Sequence, residues 1–299
     1  MLRDRYGDRQ VLATDIEDVG ERIGGPFMEL DGTDADAVAR AFREHDVGTV
    51  YHLAALLSVT AERDPQAAYR VNLGSLVAVL EAARAVGAAA FVPSSIAAFG
   101  PGTPRDGTPQ DTLQRPTTMY GVTKVAGELL CDYYHARFGL DTRGLRFPGL
   151  ISYVAEPGGG TTDYAVHMFH AAVKGELYVC YLRPDTQIDM MYMPDAVRGA
   201  IELMEAEGAT LEHRNAFNIA AIRLTPERLA AAISDAVPGF EVRYRVDEAR
   251  QAIADSWPRS VDDGAARTEW GWRPEYDLAA MVDDMIAQLS ARAQPVGGT

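Results

Sequence analysis

Tyr120 and Lys124 stand four residues apart in the stretch MYGVTKVAGELL, Met119 to Leu130. Four residues make about one helical turn, so a helix here would put both side chains on one face. A free phenol has a pKa of about 10. An ammonium within about 4–6 Å favours the phenolate and lowers that value. A phenol poised nearer neutrality can take a proton from an alcohol. The chain holds two lysines, Lys124 and Lys174, against 26 arginines and 13 tyrosines, so chance alone rarely produces the pairing. The bland alternative is a surface Tyr beside a solvated Lys. A nearby hydroxyl could hold the substrate oxygen, and Ser94 and Ser95 end a predicted strand. Two serines at a strand end are also ordinary turn chemistry.

The elements that must position these groups follow from the pattern of the chain. VLATDI (11–16), PFMEL (26–30), TVYHLAA (49–55), AAFVPSS (89–95) and TRGLRFPGLIS (142–152) read as strands. Helical patterns at 34–46, 65–87 and 118–139 separate them, and the last two end in Gly. Alternating helices and nearly uniform apolar strands predict an α/β fold, a Rossmann-like doubly wound parallel sheet covered on both faces. Ligands of such sheets sit beyond the carboxyl ends of the strands. After residue 150 the pattern loosens. It predicts a Gly loop feeding a helix at 158–175, helices at 194–206, 225–238 and 277–292, and short strands at 178–182, 187–193, 216–220 and 241–247. The expected division is a core at 1–150 continued by parts of 186–222, with a small substrate lobe from 151–185 and 223–299.

HLAA (52–55), VNLGS (71–75), PSSIAAFG (93–100), Tyr120-x-x-x-Lys124 and RFPGL (146–150) occur in this order. The set resembles the extended short-chain dehydrogenase/reductase superfamily, and the resemblance covers nearly the whole chain. It implies a nicotinamide cofactor, with Tyr120 as general base and Lys124 lowering its pKa and binding the nicotinamide ribose. Ser95 matches the hydroxyl that holds the substrate oxygen, with Ser94 the second choice. Leu53, Ala54 and Ala55 would lie along the cofactor, and Pro148 and Gly149 would flank the nicotinamide. Asn72 matches a helix Asn whose role is either structural or direct.

Asp15 ends the first predicted strand, where an acidic side chain can accept hydrogen bonds from both ribose hydroxyls of NAD. It would repel the extra phosphate of NADP; a solvated turn Asp is the alternative. Asp31 resembles the residue near the adenine ring, with a helix cap or turn as its rival. The superfamily opens with a strand and a Gly-rich turn that cradles the pyrophosphate. No such unit precedes VLATDI. The first strand and Gly-rich turn, roughly 17 to 20 residues by that resemblance, are expected to be missing from the amino end. Weak NAD binding and poor stability are expected of the chain without them.

Downstream, RFPGLIS, GGGTTDYAVHMF, DMMYMPDAVRGAIELMEA and WPRSVDDGAARTEWGW resemble the short-chain type of L-threonine 3-dehydrogenase. That family oxidises the threonine side-chain hydroxyl to 2-amino-3-ketobutyrate with NAD and without zinc. In GGGTTD, N–H groups at a helix N-terminus, Gly160 among them, suit a substrate carboxylate. Thr161 or Thr162 could add hydroxyls, or one could merely cap the helix. Ser58 sits by likeness at the pocket edge. Asp163 could meet the ammonium or simply favour the helix dipole. Tyr164 and Met190 to Met193 are expected in the core. Two rival readings stand beside this one. The first is a sugar-nucleotide epimerase or dehydratase of the same superfamily, although such enzymes usually carry Asn where Pro148 stands. The second is a nicotinamide-binding protein without turnover, although these often lose the Tyr or the Lys.

Composition narrows the field further. The net charge of -15 and the lack of basic runs argue against nucleic acid. No apolar run of about eighteen residues suggests a membrane span. Cys131 and Cys180 make no disulfide framework, and the six His residues show no metal-ligand spacing. A cytoplasmic compartment is the default. The aliphatic faces of 65–87 and 118–139 would form a homodimer interface by likeness, or an ordinary core face.

Overall fold

The computed structural model describes residues 1–154 and 157–293. The β-rich runs become β1 (Ala13–Asp15), β2 (Phe27–Glu29), β3 (Thr49–Tyr51), β4 (Ala89–Phe91), β5 (Ser94–Ser95), β6 (Thr142–Arg143), β7 (Leu145–Phe147) and β8 (Gly149–Ile151). Beyond them lie β9 (Tyr178–Cys180), β10 (Ile188–Tyr192), β11 (Phe217–Asn218), β12 (Ile222–Leu224) and β13 (Val242–Tyr244). β3, β4 and β6 pair in parallel, as do β5, β7 and β11. Only Val92 and Pro93 separate β4 from β5, because Pro93 has no N–H to give a ladder. The Val92 N–H still donates to the Arg143 carbonyl at 2.9 Å, which carries one ladder into the next. β8 pairs in parallel with β10, and β12 adds an antiparallel edge. β1 and β2 form a parallel pair of their own.

Both faces of the sheet are covered. Neighbouring strand residues point to opposite faces. Ala90 accordingly packs into a core with Phe42, Leu80 and Tyr134, while Phe91 packs with Leu145, Phe217 and Trp272. A third core is built around Tyr164, Phe169, Tyr192, Trp257 and Met285. Tyr164, Met190 and Met191 are fully buried, in keeping with the expectation of core roles. Cys131 and Cys180 are buried free thiols. Residues 155–156 and 294–299 of the expected substrate lobe lie outside the described residues.

Two departures from the sequence pattern have physical causes. The helix expected over 65–87 is interrupted by a wide turn at Arg70–Gly74, between Pro65–Tyr69 and Ser75–Val86. Such turns insert an extra residue and often mark functional positions. Here the turn contains Asn72, whose amide ties two other elements together. β12 and the helices Glu248–Asp255 and Gly264–Glu269 were not expected. They are too short to show a period, although Asp247 caps the first of these helices through the Ala249 and Arg250 N–H groups.

The helix Met119–Phe138 carries Tyr120 and Lys124. Thr118 caps it by accepting from the Gly121 N–H at 3.1 Å, and Gly139 closes it at φ 68°. Its first turn presses on the chain just beyond β5. A Cβ at Gly121 would lie 2.2 Å from the Ala97 carbonyl oxygen and 2.5 Å from the Pro116 side chain. The backbone oxygen cannot swing aside, so Gly121→Ala must push the helix off the strand end. It should lower stability by about 1–3 kcal/mol, read as a fall in the urea midpoint at unchanged slope. A midpoint equal to that of the parent chain would mean that this contact does not set the helix position.

Candidate active site

Tyr120, Lys124 and Ser95 meet at the carboxyl end of β5. Tyr120 is partly buried and packs against the third core. The neighbouring Ser95 hydroxyl, which accepts from the Ala97 N–H at 3.2 Å, draws the phenol down, but burial outweighs this and pushes it up to about 12. Lys124 Nζ lies 5.4 Å from the centre of the tyrosine ring. It donates to the Pro93 carbonyl at 2.7 Å rather than to the phenol. Burial lowers the Lys124 ammonium to about 8. The expectation that Lys124 brings the phenol towards neutrality is therefore corrected. Among the groups of the chain itself, desolvation dominates at both residues.

The two serines separate cleanly. Ser94 is buried and its hydroxyl donates to Glu128 Oε1. Ser95, the next strand residue, faces Tyr120. The second choice for the substrate hydroxyl thus has its hydroxyl engaged inside the fold.

Around Lys124 a small cavity is lined by His52, Ala55, Asn72, Pro93, Ser94 and Glu128. His52 is buried and held down to about 4, first by burial and then by the nearby Lys124 charge. The Ser75 hydroxyl donates to the Val71 carbonyl, so it accepts from His52 Nε2 at 3.3 Å. The Asn72 amide is engaged within the fold. It accepts from the Leu56 N–H at 2.7 Å and donates to the Leu56 carbonyl and to Thr123 Oγ1 at 3.2 and 3.1 Å. The Thr123 hydroxyl in turn donates to the Tyr120 carbonyl at 2.8 Å. Asn72 therefore positions the loop after β3 against the tyrosine helix.

The donor set fits NAD. Leu53 and Ala54 are exposed along the exit of β3, where a flat group could lie on the backbone. Asp15 is exposed at the end of β1 and offers acceptors for ribose hydroxyls, with Oδ1 also accepting from the Glu17 N–H at 3.1 Å. Asp31 is bound into a turn by the Thr33 N–H and hydroxyl, at 2.8 and 2.7 Å. These bonds hold its carboxyl below the usual range. Pro148 is buried between β7 and β8.

The segments that follow β3 and β8 meet each other. Ser58 Oγ and Thr161 Oγ1 are buried 3.5 Å apart. Thr162 stands over Gly149, where an added Cβ would meet the Thr162 methyl at 2.8 Å. The N–H groups of Gly159 and Gly160 both donate to Asp163 Oδ2 at 2.8 Å. Those are the groups expected to receive a substrate carboxylate, and Asp163 already takes them. Neither threonine is the residue that starts the helix Tyr164–Lys174; Asp163 holds that position.

The most heavily bonded group near the site went unnoticed in the sequence. Glu128 is buried and lies two turns beyond Tyr120 on the same helix face. Arg146 of β7 grips it in a fork, Nε to Oε1 at 3.0 Å and Nη2 to Oε2 at 2.8 Å. Gln114 adds a bond to Oε2 at 2.7 Å. Arg146 Nη1 continues to the Gln110 carbonyl and to Asn218 Oδ1, at 2.8 and 3.1 Å. The signal was available: two arginines, Arg143 and Arg146, inside a predicted core strand, and one acid at i+4 from Lys124. A second cluster, Glu212, His213 and Glu269, is hydrogen-bonded within itself. Glu269 accepts from both backbone N–H groups and from the His213 ring.

The chain is similar to several known proteins. The solved structure of a GalE-like L-threonine dehydrogenase from Cupriavidus necator, in its holo form, is 51% identical with a TM-score of 0.94. The match covers 96% of this chain and 94% of that one. An L-threonine dehydrogenase from Clostridium difficile is 50% identical with a TM-score of 0.95, covering 97% of this chain and 92% of that one. A Staphylococcus haemolyticus protein described as an uncharacterized epimerase/dehydratase is 50% identical over 295 residues, 98% of this chain and 93% of its own. A UDP-glucose 4-epimerase from Thermotoga maritima shares the fold alone, at 21% identity and a TM-score of 0.80 over 94% of this chain and 90% of that one. Residues 3–220 match the family model described as the NAD dependent epimerase/dehydratase family. With Tyr120, Lys124 and Ser95 gathered at one strand end and the family model matched over most of its length, the chain belongs to this NAD-dependent family, a branch of the extended short-chain dehydrogenases/reductases.

Proposed function

We propose that the protein oxidises the side-chain hydroxyl of L-threonine, giving 2-amino-3-ketobutyrate, NADH and a proton. The observation that carries this reading is the Ser95 hydroxyl against the Tyr120 phenol with the Lys124 ammonium beside the ring. The high identity over whole chains to L-threonine dehydrogenases supports threonine as the substrate. NAD supplies the hydride acceptor when bound. Ser95 holds the substrate oxygen, Tyr120 removes its proton, and Lys124 holds the nicotinamide ribose. Asp15 and Asp31 serve the adenosine end, with Leu53, Ala54, Ala55 and Pro148 along the cofactor. Ser58 and Thr161 are the hydroxyls placed to receive the amino acid's carboxylate. Asp163 must yield its two N–H partners if Gly160 is to share that task.

NADH formation followed with L-threonine, L-serine and a panel of sugar nucleotides tests the substrate. Threonine should be turned over fastest, and sugar nucleotides should give no NADH. Conversion of a sugar nucleotide to an isomeric or dehydrated product with no net NADH, together with no NADH from threonine, would establish the epimerase/dehydratase alternative. Tyr120→Phe should cut turnover by about 10²–10⁴-fold with NAD binding retained, and unchanged turnover would remove Tyr120 from its role.

The pH dependence follows from the two shifts. With the phenol up at about 12, the base form is scarce at neutral pH and grows tenfold per pH unit. With Lys124 down at about 8, its ammonium is full below that pH and is lost above it. Log kcat should rise with a slope near one from about pH 6 to 8 and flatten above. A flat profile through that window would show that a different group titrates.

The homodimer reading rests on apolar residues left exposed on the two long helices. They are Val77 and Val86 on Ser75–Val86, and Val122, Leu129, Tyr133 and Phe138 on Met119–Phe138. One L-threonine 3-dehydrogenase at 41% identity is described as monomeric. Light scattering should give twice the chain mass, 64.8 kDa from 32.4 kDa. A Leu129→Glu variant should give the single mass; a parent chain already at the single mass would refute the dimer.

A further inference from the structure

Ser94 and Ser95 are chemically equal and adjacent, and a strand sends them to opposite faces. What distinguishes them is the carboxylate on the neighbouring helix. Glu128 accepts the Ser94 hydroxyl on Oε1, and its remaining capacity is taken by the Arg146 fork and by Gln114. The Ser94 backbone lies opposite Arg146 in the β5–β7 ladder, so strand register and side-chain pairing hold the same spot. A carboxylate with four donors is fixed in place. It also lies one helical turn from Lys124, on the same face.

We propose that Glu128 is a positioning residue of this site: it holds Ser94 inward so that Ser95 faces Tyr120, and it sets a fixed negative charge beside the Lys124 ammonium. The kinetic part rests on the function proposed above; the electrostatic part does not. The titratable and charged groups around Lys124 are Tyr120, Glu128 and Cys131 on its own helix, His52 at the exit of β3, and Arg146 beyond Glu128. Burial keeps the Cys131 thiol and the His52 ring neutral. Glu128 is therefore the anion that opposes the burial of Lys124.

The composition offers a direct readout. The chain has two lysines, and Lys174 is exposed. Protein labelled with ¹³C at lysine Cε shows two titrating signals, one of them an internal reference. In Glu128→Gln the Lys124 midpoint should fall by about one pH unit or more, while Lys174 stays fixed. Glu128→Asp, which keeps the charge, should recover most of that fall. Ser94→Ala leaves the ion pair intact and guards against misfolding of the Gln variant. It should leave the Lys124 midpoint in place and lower kcat roughly fivefold at unchanged KM for threonine. A Lys124 midpoint in Glu128→Gln equal to that of the parent overturns the electrostatic role. Full turnover in Ser94→Ala overturns the positioning of Ser95. If the parent chain does not oxidise threonine, the function falls, and the lysine titration still judges Glu128.

Discussion

A carboxylate and a guanidinium buried together, Glu128 and Arg146, hold the active end of this molecule in one arrangement. Their side chains are 6% and 8% exposed. Taking such a pair out of water is expensive, and it is tolerated where the remaining lone pairs and protons find partners. Here they do. Through this one contact the tyrosine helix, β5, β7, β11 and the loop at 110–114 share a common anchor. Removing one partner of a buried pair typically costs about 3–5 kcal/mol, against roughly 1 kcal/mol for an ordinary hydrogen bond. The pair therefore ranks above any single neutral contact around the site.

The same burial that makes this pair strong works against the reactive groups. Tyr120 and Lys124 sit where charge is disfavoured, and their shifts run in opposite directions from the one cause. With the phenol raised to about 12 and the amine lowered to about 8, the phenol is neutral at neutral pH while the amine keeps most of its charge. The resemblance implied that lysine lowers the tyrosine. The described structure instead shows Lys124 tied to the Pro93 carbonyl, with Ser95 the group that draws the phenol down. Further positive charge close to the ring is what the phenolate requires, and the dinucleotide-binding end of the sheet is where such charge would arrive.

Asn72 and Asp163 show how polar groups near a cleft can serve the fold first. Each is well placed to touch a ligand, yet each is bonded to its own backbone surroundings. Asn72 supports the tyrosine helix through Thr123. Asp163 fills the N–H groups of the glycine loop, so an incoming carboxylate must compete with a carboxylate already there.

Much was legible before any coordinates. The alternation of apolar runs and helical patterns announced a parallel sheet, because period and turn residues are local properties. The Tyr–Lys spacing announced a shared helix face for the same reason. The wide turn at Arg70–Gly74 and the antiparallel β12 left no local trace, since contacts with distant segments create them. Two identical neighbours, Ser94 and Ser95, were equivalent in the chain and became different once a strand alternated its faces and a distant acid claimed one of them. Nor could spacing alone settle the direction of the Tyr120 shift. Residue order determines which groups can be neighbours along a helix; how much water remains around them is settled by packing from the rest of the chain, and desolvation here outweighs proximity.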